Sequence, residues 1–488
     1  MYNWEAGLSR NSFLIHFSKI LLEAIIDRIG MRPFWTRSRI GWSQSRDSDT
    51  SIGQDPLRSE KFVFAHFMVG NTYPYTQEDW LQDLILASEN EIDGFVLNVG
   101  VEEWQKHRVI DCFKACERLP TENEFKLFFS FDMTSISGQS QKDVLYLSSY
   151  IQTFANHPRT LRYPSATGKI VVSTFSGGEC LFGMDTLEKG WAFLKRELSK
   201  ISPIHLIPSF FIDPSRYPII SCVNGIFNWN GGWPIHLSPA LPRSDIECPK
   251  LDSDIHHLRC LNESQTFMAA VSPWFFTHYG PDSWNKNWVY RADDWLFVRR
   301  WEWLIEMNRQ IDFVQIISWN DYGESHYIGP IKGAQPNSEA WVDGYPHEPW
   351  LYLNSYFARA FKDGGTYPGI REDKIFVWAR PHPKNVVVNE HVPRPKNWEL
   401  TDDLMWIIIF SIHPAIVKIH TSELDDDCTS IAVDAGMTKL SHPLKPAGGM
   451  KIVIIRDEKI VAECAPIGYR FEARPGVYNF NAFVAMSH

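Results

Sequence analysis

The chain has 488 residues and a mass of 56.5 kDa, enough for a large core and more than one domain. Apolar residues make up 44% and charged residues 22%, the balance of an ordinary soluble globular protein. A net charge of −10 gives no electrostatic reason to bind nucleic acid or an anionic membrane surface, while a neutral partner such as carbohydrate fits it.

Residues 1–59 read as an N-terminal extension made of a helix and a polar linker. Phe13, Ile15, Phe17, Ile20, Leu21, Ala24 and Ile25 follow helical spacing, and His16, Lys19 and Glu23 interrupt the apolar run. No small-residue cleavage site follows, so the segment is expected to be an amphipathic helix and not a secretory signal. Residues 36–60 are rich in Ser, Arg and Asp and read as an exposed linker. Nowhere does an apolar run reach the length of a membrane helix.

From residue 60 to 380, strand and helix signals alternate. Strands are predicted over 61–69, 92–99, 125–132, 169–175, 204–211, 223–229, 266–273 and 313–319, with helices over 77–90, to 116, 141–155, 187–198 and 294–308. Eight buried strands alternating with helices predict a parallel (β/α)8 TIM barrel. Such a barrel keeps its chemistry at the carboxyl ends of its strands. Those ends carry His66, Asn98, Asp132, Trp229, Asn230, Trp274, His278 and Tyr279. Each has a plain explanation taken alone: Asp132 as a helix N-cap, Asn98 as a turn residue, His278 as a satisfied loop histidine. Their convergence on one face points to a site, and aromatic residues, 14% of the chain with 20 Trp, are plentiful there.

The eighth strand ends in Trp319-Asn-Asp-Tyr-Gly-Glu324, followed by Ser325 and His326. Gly323 allows a sharp turn that aims Asp321 and Glu324 into one cleft. Two close carboxyls titrate as a pair, giving a proton donor beside a base, as glycosidic bond cleavage requires. Glu324 is expected as general acid and Asp321 as general base, with Trp319 and Tyr322 offering ring faces to sugar. A capped loop with two solvated acids is the plain alternative. A metal site built from His66, Asp132, Asp321 and His326 is the other, but their spacing in sequence does not support one, and neither a metal nor a cofactor is expected.

Beyond residue 380, Pro381, Pro383, Pro393 and Pro395 mark a linker. Short β-rich runs at 404–410, 415–420, 428–433, 451–456, 459–462 and 477–484 then predict a C-terminal antiparallel β-sandwich over 381–488. The eight cysteines are too few for a disulfide scaffold; Cys428 and Cys464 are the pair that an oxidising compartment would join. Asn262-Glu-Ser264 is a glycosylation triplet.

Val63-Phe-Ala-His-Phe-Met-Val69, Ile92-Asp-Gly-Phe-Val-Leu-Asn98, Leu127-Phe-Phe-Ser-Phe-Asp132, Pro208-Ser-Phe-Phe211, Trp319-Asn-Asp-Tyr-Gly-Glu-Ser-His-Tyr-Ile328 and Phe376-Val-Trp-Ala-Arg-Pro-His-Pro383 together resemble the fungal α-1,3-glucanases (mutanases) of glycoside hydrolase family 71. The resemblance runs from about residue 60 to the C-terminus. It implies endo-hydrolysis of α-1,3-glucan with inversion by a barrel with a C-terminal β-sandwich, and Asp321 and Glu324 as the catalytic pair. From their place at the barrel mouth, His66, Asn98, Asp132, Trp229, Asn230, Trp274, His278, Tyr279, Tyr322 and His326 are expected around the substrate. The resemblance also implies α-1,3-glucan as partner and an extracellular or cell-wall setting, although without a recognisable signal peptide an intracellular one stays open; a monomer is expected. Some relatives carry Asp where this chain has Asn230, which removes a charge there. A glycan-binding wall protein, or a hydrolase of another glucan linkage, is the competing function on the same barrel.

Overall fold

Near-continuous apolar runs bury a strand on both faces, and the barrel is built from eight of them. In the computed structural model, which describes residues 60–165, 168–422 and 428–488, these are β1 (Phe62–Met68), β2 (Gly94–Val99), β3 (Lys126–Asp132), β4 (Ile170–Phe175), β5 (Ile204–Ser209), β6 (Gly225–Asn228), β7 (Thr266–Val271) and, after a hairpin, β10 (Phe313–Ile316). The predicted helix and linker of residues 1–59 lie outside the described residues. All pairings are parallel, in the order β5-β4-β3-β2-β1-β10-β7-β6. The seam between β5 and β6 is bridged by Asn224, whose N–H donates to the Leu206 carbonyl at 2.8 Å while its Oδ1 accepts from the Leu206 N–H at 3.1 Å. The hairpin is β8 (Phe276–His278) and β9 (Asn287–Val289), inserted beyond the carboxyl end of β7, between the seventh and eighth barrel strands.

Helices cover the barrel where the sequence carries capping and periodicity together. Helix Gln77–Glu89 starts at a capping box of Thr76 and Asp79, and Thr186 caps helix Leu187–Ser199 by accepting from the Lys189 N–H. Among the described residues no helix is long and apolar enough to cross a membrane.

Two four-stranded antiparallel sheets follow. One runs β15-β12-β11-β18, from Gly436–Pro443, Leu404–Ser411, Lys374–Ala379 and Phe483–Met486; the other runs β14-β13-β16-β17, from Cys428–Val433, Ala415–His420, Lys451–Arg456 and Lys459–Cys464. The period of two decides what each face meets. Ile375, Val377, Met405, Ile407 and Ile409 face the second sheet with Val417, Ile419, Ile452 and Ile454. Phe376, Trp378, Trp406, Ile408 and Phe410 point the other way, into the barrel's own core. The first sheet is therefore covered on both sides.

Four points of the sequence reading change. The boundary at 380 falls just after β11, a sandwich strand whose apolar run reads like a barrel strand because it is buried on both faces. β15 carries Thr, Lys, Ser and His on an exposed edge and has no apolar alternation to reveal it. The run 477–484 becomes irregular chain up to residue 482, with β18 only at 483–486. Cys428 and Cys464 are both free and sit on opposite edge strands of one sheet, so no bridge joins them.

Candidate active site

The segment after β10 is tied to its neighbour strand before it delivers its acids. Trp319 N–H donates to the His66 carbonyl at 2.7 Å, and Asn320 pairs with the Met68 backbone in both directions, accepting its N–H at 2.7 Å and donating to its carbonyl at 3.1 Å. Ser318 Oγ accepts from the Asp321 N–H at 2.8 Å, and Asp321 Oδ1 accepts from the Glu324 N–H at 3.2 Å. The four-residue turn is thus closed by one of its own carboxyls. Gly323 is required for room and not for an unusual φ: a Cβ there would run into the Tyr279 hydroxyl, whereas the left-handed residue of the loop is Ser325, at φ 58°.

Both carboxyls converge on fully buried His326. Its Nε2 lies 3.2 Å from Glu324 Oε2 and 3.8 Å from Asp321 Oδ2, while Nδ1 faces Ser318 Oγ at 3.0 Å. The other oxygen of Glu324, Oε1, is 3.1 Å from the Lys286 ammonium, which reaches in from the start of β9. Burial pushes the Asp321 carboxyl above the usual carboxylate range, and the charge of Glu324 pushes it further. Burial acts on Glu324 in the same sense, but Lys286 and His326 outweigh it and hold that carboxyl down at about 2. The two acids are therefore driven apart, Asp321 towards its protonated form and Glu324 towards its ionised form. An ionised carboxylate only accepts, so His326 Nε2 donates to it. One oxygen of each acid and His326 Nε2 lie within 4.8 Å of one another, a spacing that a cation could also use; here the Lys286 ammonium supplies the positive charge.

An acid and a base split by their surroundings at the mouth of a barrel belong to many hydrolases; a sequence profile decides between them. Residues 59–488 match the profile of glycosyl hydrolase family 71. The chain belongs to that family. It is 32% identical over 432 residues to a glucan endo-1,3-alpha-glucosidase of Schizosaccharomyces pombe, covering 88% of this chain and 95% of the relative. A mutanase of Penicillium rubens is 29% identical, with 87% and 88% covered, and an ascus wall endo-1,3-alpha-glucanase of Schizosaccharomyces pombe is 30% identical, with 86% and 96% covered.

Around the acids of this family 71 hydrolase, the predicted mouth residues divide into two groups. His66 and Trp229 stand together, ring centroids 4.7 Å apart, and His66 Nδ1 lies 2.9 Å from the Gln315 amide. Burial, with His326 adding to it and Glu324 opposing, lowers His66 to about 3 and leaves its ring neutral. Asn98 donates to the Ser130 carbonyl, and half-buried Asn230 lies in the turn after β6. Asp132 uses Oδ1 to accept from Thr134 N–H and Oγ, and its charge is felt by Lys286. Tyr279 lies against Gly323, with its hydroxyl donating to the Pro336 carbonyl.

The second group turns away. Trp274 is 2% exposed, stacks on Trp350 and donates its indole N–H to the Phe480 carbonyl, so it joins barrel to sandwich and presents no face to a cleft. Tyr322 and Trp319 are wholly buried; the Tyr322 hydroxyl bridges the Pro330 carbonyl and the Lys332 N–H, and Trp319 packs under Gly329. His278 pairs across the hairpin with Asn287 and faces Glu390. Lys286 and Ser318 escaped sequence reading altogether. The available signal for Lys286 was the long connection 272–295 on the catalytic face, with a lone Lys between Trp284 and Trp288.

Proposed function

We propose that this hydrolase cleaves α-1,3-glucosidic bonds inside fungal cell-wall α-1,3-glucan, with Asp321 as general acid and Glu324 as general base. What carries the reading is the electrostatic division of one loop's two carboxyls: Asp321 raised by burial and its neighbour, Glu324 held down by Lys286 and His326. That reverses the roles expected from sequence, because neither Lys286 nor the burial of Asp321 is legible there. A protonated Asp321 donates to the leaving glycosidic oxygen, and ionised Glu324 takes the proton of the attacking water. The relatives' names supply the linkage and the endo action, and the ascus wall enzyme supports action in a wall outside the cell. The exposed indole of Trp284, packed edge-on to Tyr279, offers a ring face beside the acids.

Inversion is the expected stereochemistry. Proton NMR of fresh digests of α-1,3-glucan decides it: an equatorial anomer appearing first means inversion, an axial one retention. Product analysis on α-1,3-, α-1,4- and β-1,3-glucans tests the linkage, and preferential cleavage of either of the last two would overturn it.

A further inference from the structure

We infer that Lys286 is a positioning residue for the reaction: from the β8–β9 hairpin, its ammonium holds Glu324 in place and keeps it ready to accept a proton. The inference rests on the assignment of Glu324 as base and extends it to a residue outside the acid loop. The geometry is specific. Glu324 has two oxygens and two partners, His326 Nε2 at 3.2 Å on Oε2 and Lys286 Nζ at 3.1 Å on Oε1. His326 is fixed by Ser318 on the same loop, so Lys286 is the partner that arrives from another element.

The hairpin is built to hold it. Tyr279 N–H donates to the Lys286 carbonyl at 2.6 Å, and the next residue, Asn287, donates its side-chain amide to the Pro393 carbonyl while its own carbonyl accepts from the Lys396 N–H. The segment 393–396 thus braces the hairpin from behind, and Trp288 bridges to Lys396. The charged and titratable groups facing the pair are Asp321 and His326 from the acid loop, His66 from β1, Asp132 from β3, and Tyr279 and Tyr290 from the hairpin. Lys286 is the only ammonium among these groups; it is half exposed at the cleft, and its charge is secured by Glu324 first, and then by Asp321 and Asp132.

The sign follows. A nearby cation favours the ionised carboxyl, so removing it raises the pH at which Glu324 loses its proton, by about 1–3 units for an opposite charge in contact. A base must be ionised to work, so the acidic limb of turnover should move up with it. The test measures turnover on α-1,3-glucan from pH about 1.5 to about 8 for the full chain and for Lys286→Met, Lys286→Gln and Lys286→Arg, with melting temperatures alongside. The expected result is an acidic limb displaced upward by about one pH unit or more in Met and Gln, with Arg close to the parent. An unmoved acidic limb in both neutral variants, whatever the plateau, would overturn the inference, since a merely structural lysine lowers activity at every pH alike. Displacement of the basic limb alone would also overturn it, because Lys286 lies nearest Glu324 and acts on Asp321 only secondarily, so an effect confined to the basic limb would make Glu324 the acid. Parent-like turnover of Glu324→Gln would instead sink the underlying assignment, and the two failures are distinguishable.

Discussion

At the scale of single residues, the acid loop separates two kinds of side chain that look alike in sequence. Asp321→Asn and Glu324→Gln should each lower turnover on α-1,3-glucan by a factor of about 10² or more, with melting temperatures near the parent's, because each removes a proton carrier and keeps the shape. Near-parent rates for either would remove it from the pair. Trp274→Ala behaves differently. Its ring fills a buried contact with Trp350 and its N–H serves the Phe480 carbonyl, so truncation should cost about 3–5 kcal/mol of stability. Any fraction that folds should bind oligosaccharide as the parent does; weakened binding at unchanged stability would contradict the placement. Trp284, half exposed at the mouth, should show the reverse pattern, with binding weakened by about 1–3 kcal/mol and stability kept.

At the scale of elements, the Asp-x-x-Glu turn depends on what packs beneath it. Gly323→Ala should lower turnover, since the new methyl group meets the Tyr279 hydroxyl, and Tyr279→Phe in the same chain should restore part of it by removing that oxygen. Equal rates for the single and double variants would show that the turn is not held at this contact. The turn also shows where sequence reading stops. The eight barrel strands were legible because apolar runs bounded by turn residues announce strands buried on both faces, and Asp321 and Glu324 were legible because they follow the last of them. Trp274 and Tyr322 were misplaced because a tryptophan or tyrosine at a strand end reads the same whether it faces the cleft or the sandwich. Lys286 was missed because its partner lies 38 positions away, joined through a hairpin that no local pattern registers. The stretch 381–400, which its prolines mark as a linker, turns out to brace that hairpin.

For the molecule as a whole, pH acts through buried groups other than the acid pair. His205, buried between β5 and β7 with Nε2 at 2.8 Å from Thr266 Oγ, is lowered to about 4, first by burial and then by Lys169 and Lys195. The unfolded chain takes up this proton below pH about 6.5 and the folded chain only near 4. Its neutral burial therefore costs nothing above that upper value, and stability falls by roughly 1 kcal/mol per pH unit as pH drops through the window. Asp83 and Asp293, both raised to about 6, chiefly by burial, act in the opposite sense, because the folded chain protonates them first. The diagnostic quantity is therefore a difference: between pH 7 and 5 (bracketing about this window) the melting temperature of His205→Gln should fall less than the parent's. Identical falls would show that His205 does not resist protonation.

The contacts between sandwich and barrel carry a consequence for how the enzyme is made. Tyr327, three residues past Glu324, is stacked on His347 at 3.9 Å, and its hydroxyl accepts from Asn481, 154 positions downstream. His347 also meets the Ala482 carbonyl, and Trp274 meets that of Phe480. Translation at about 5–20 residues per second delivers the acid loop roughly 8–30 seconds before the segment that packs against it. During that interval the nascent barrel has its acid loop but not the distal stretch that packs behind Tyr327 and Trp274. The last residues made complete the packing behind the loop.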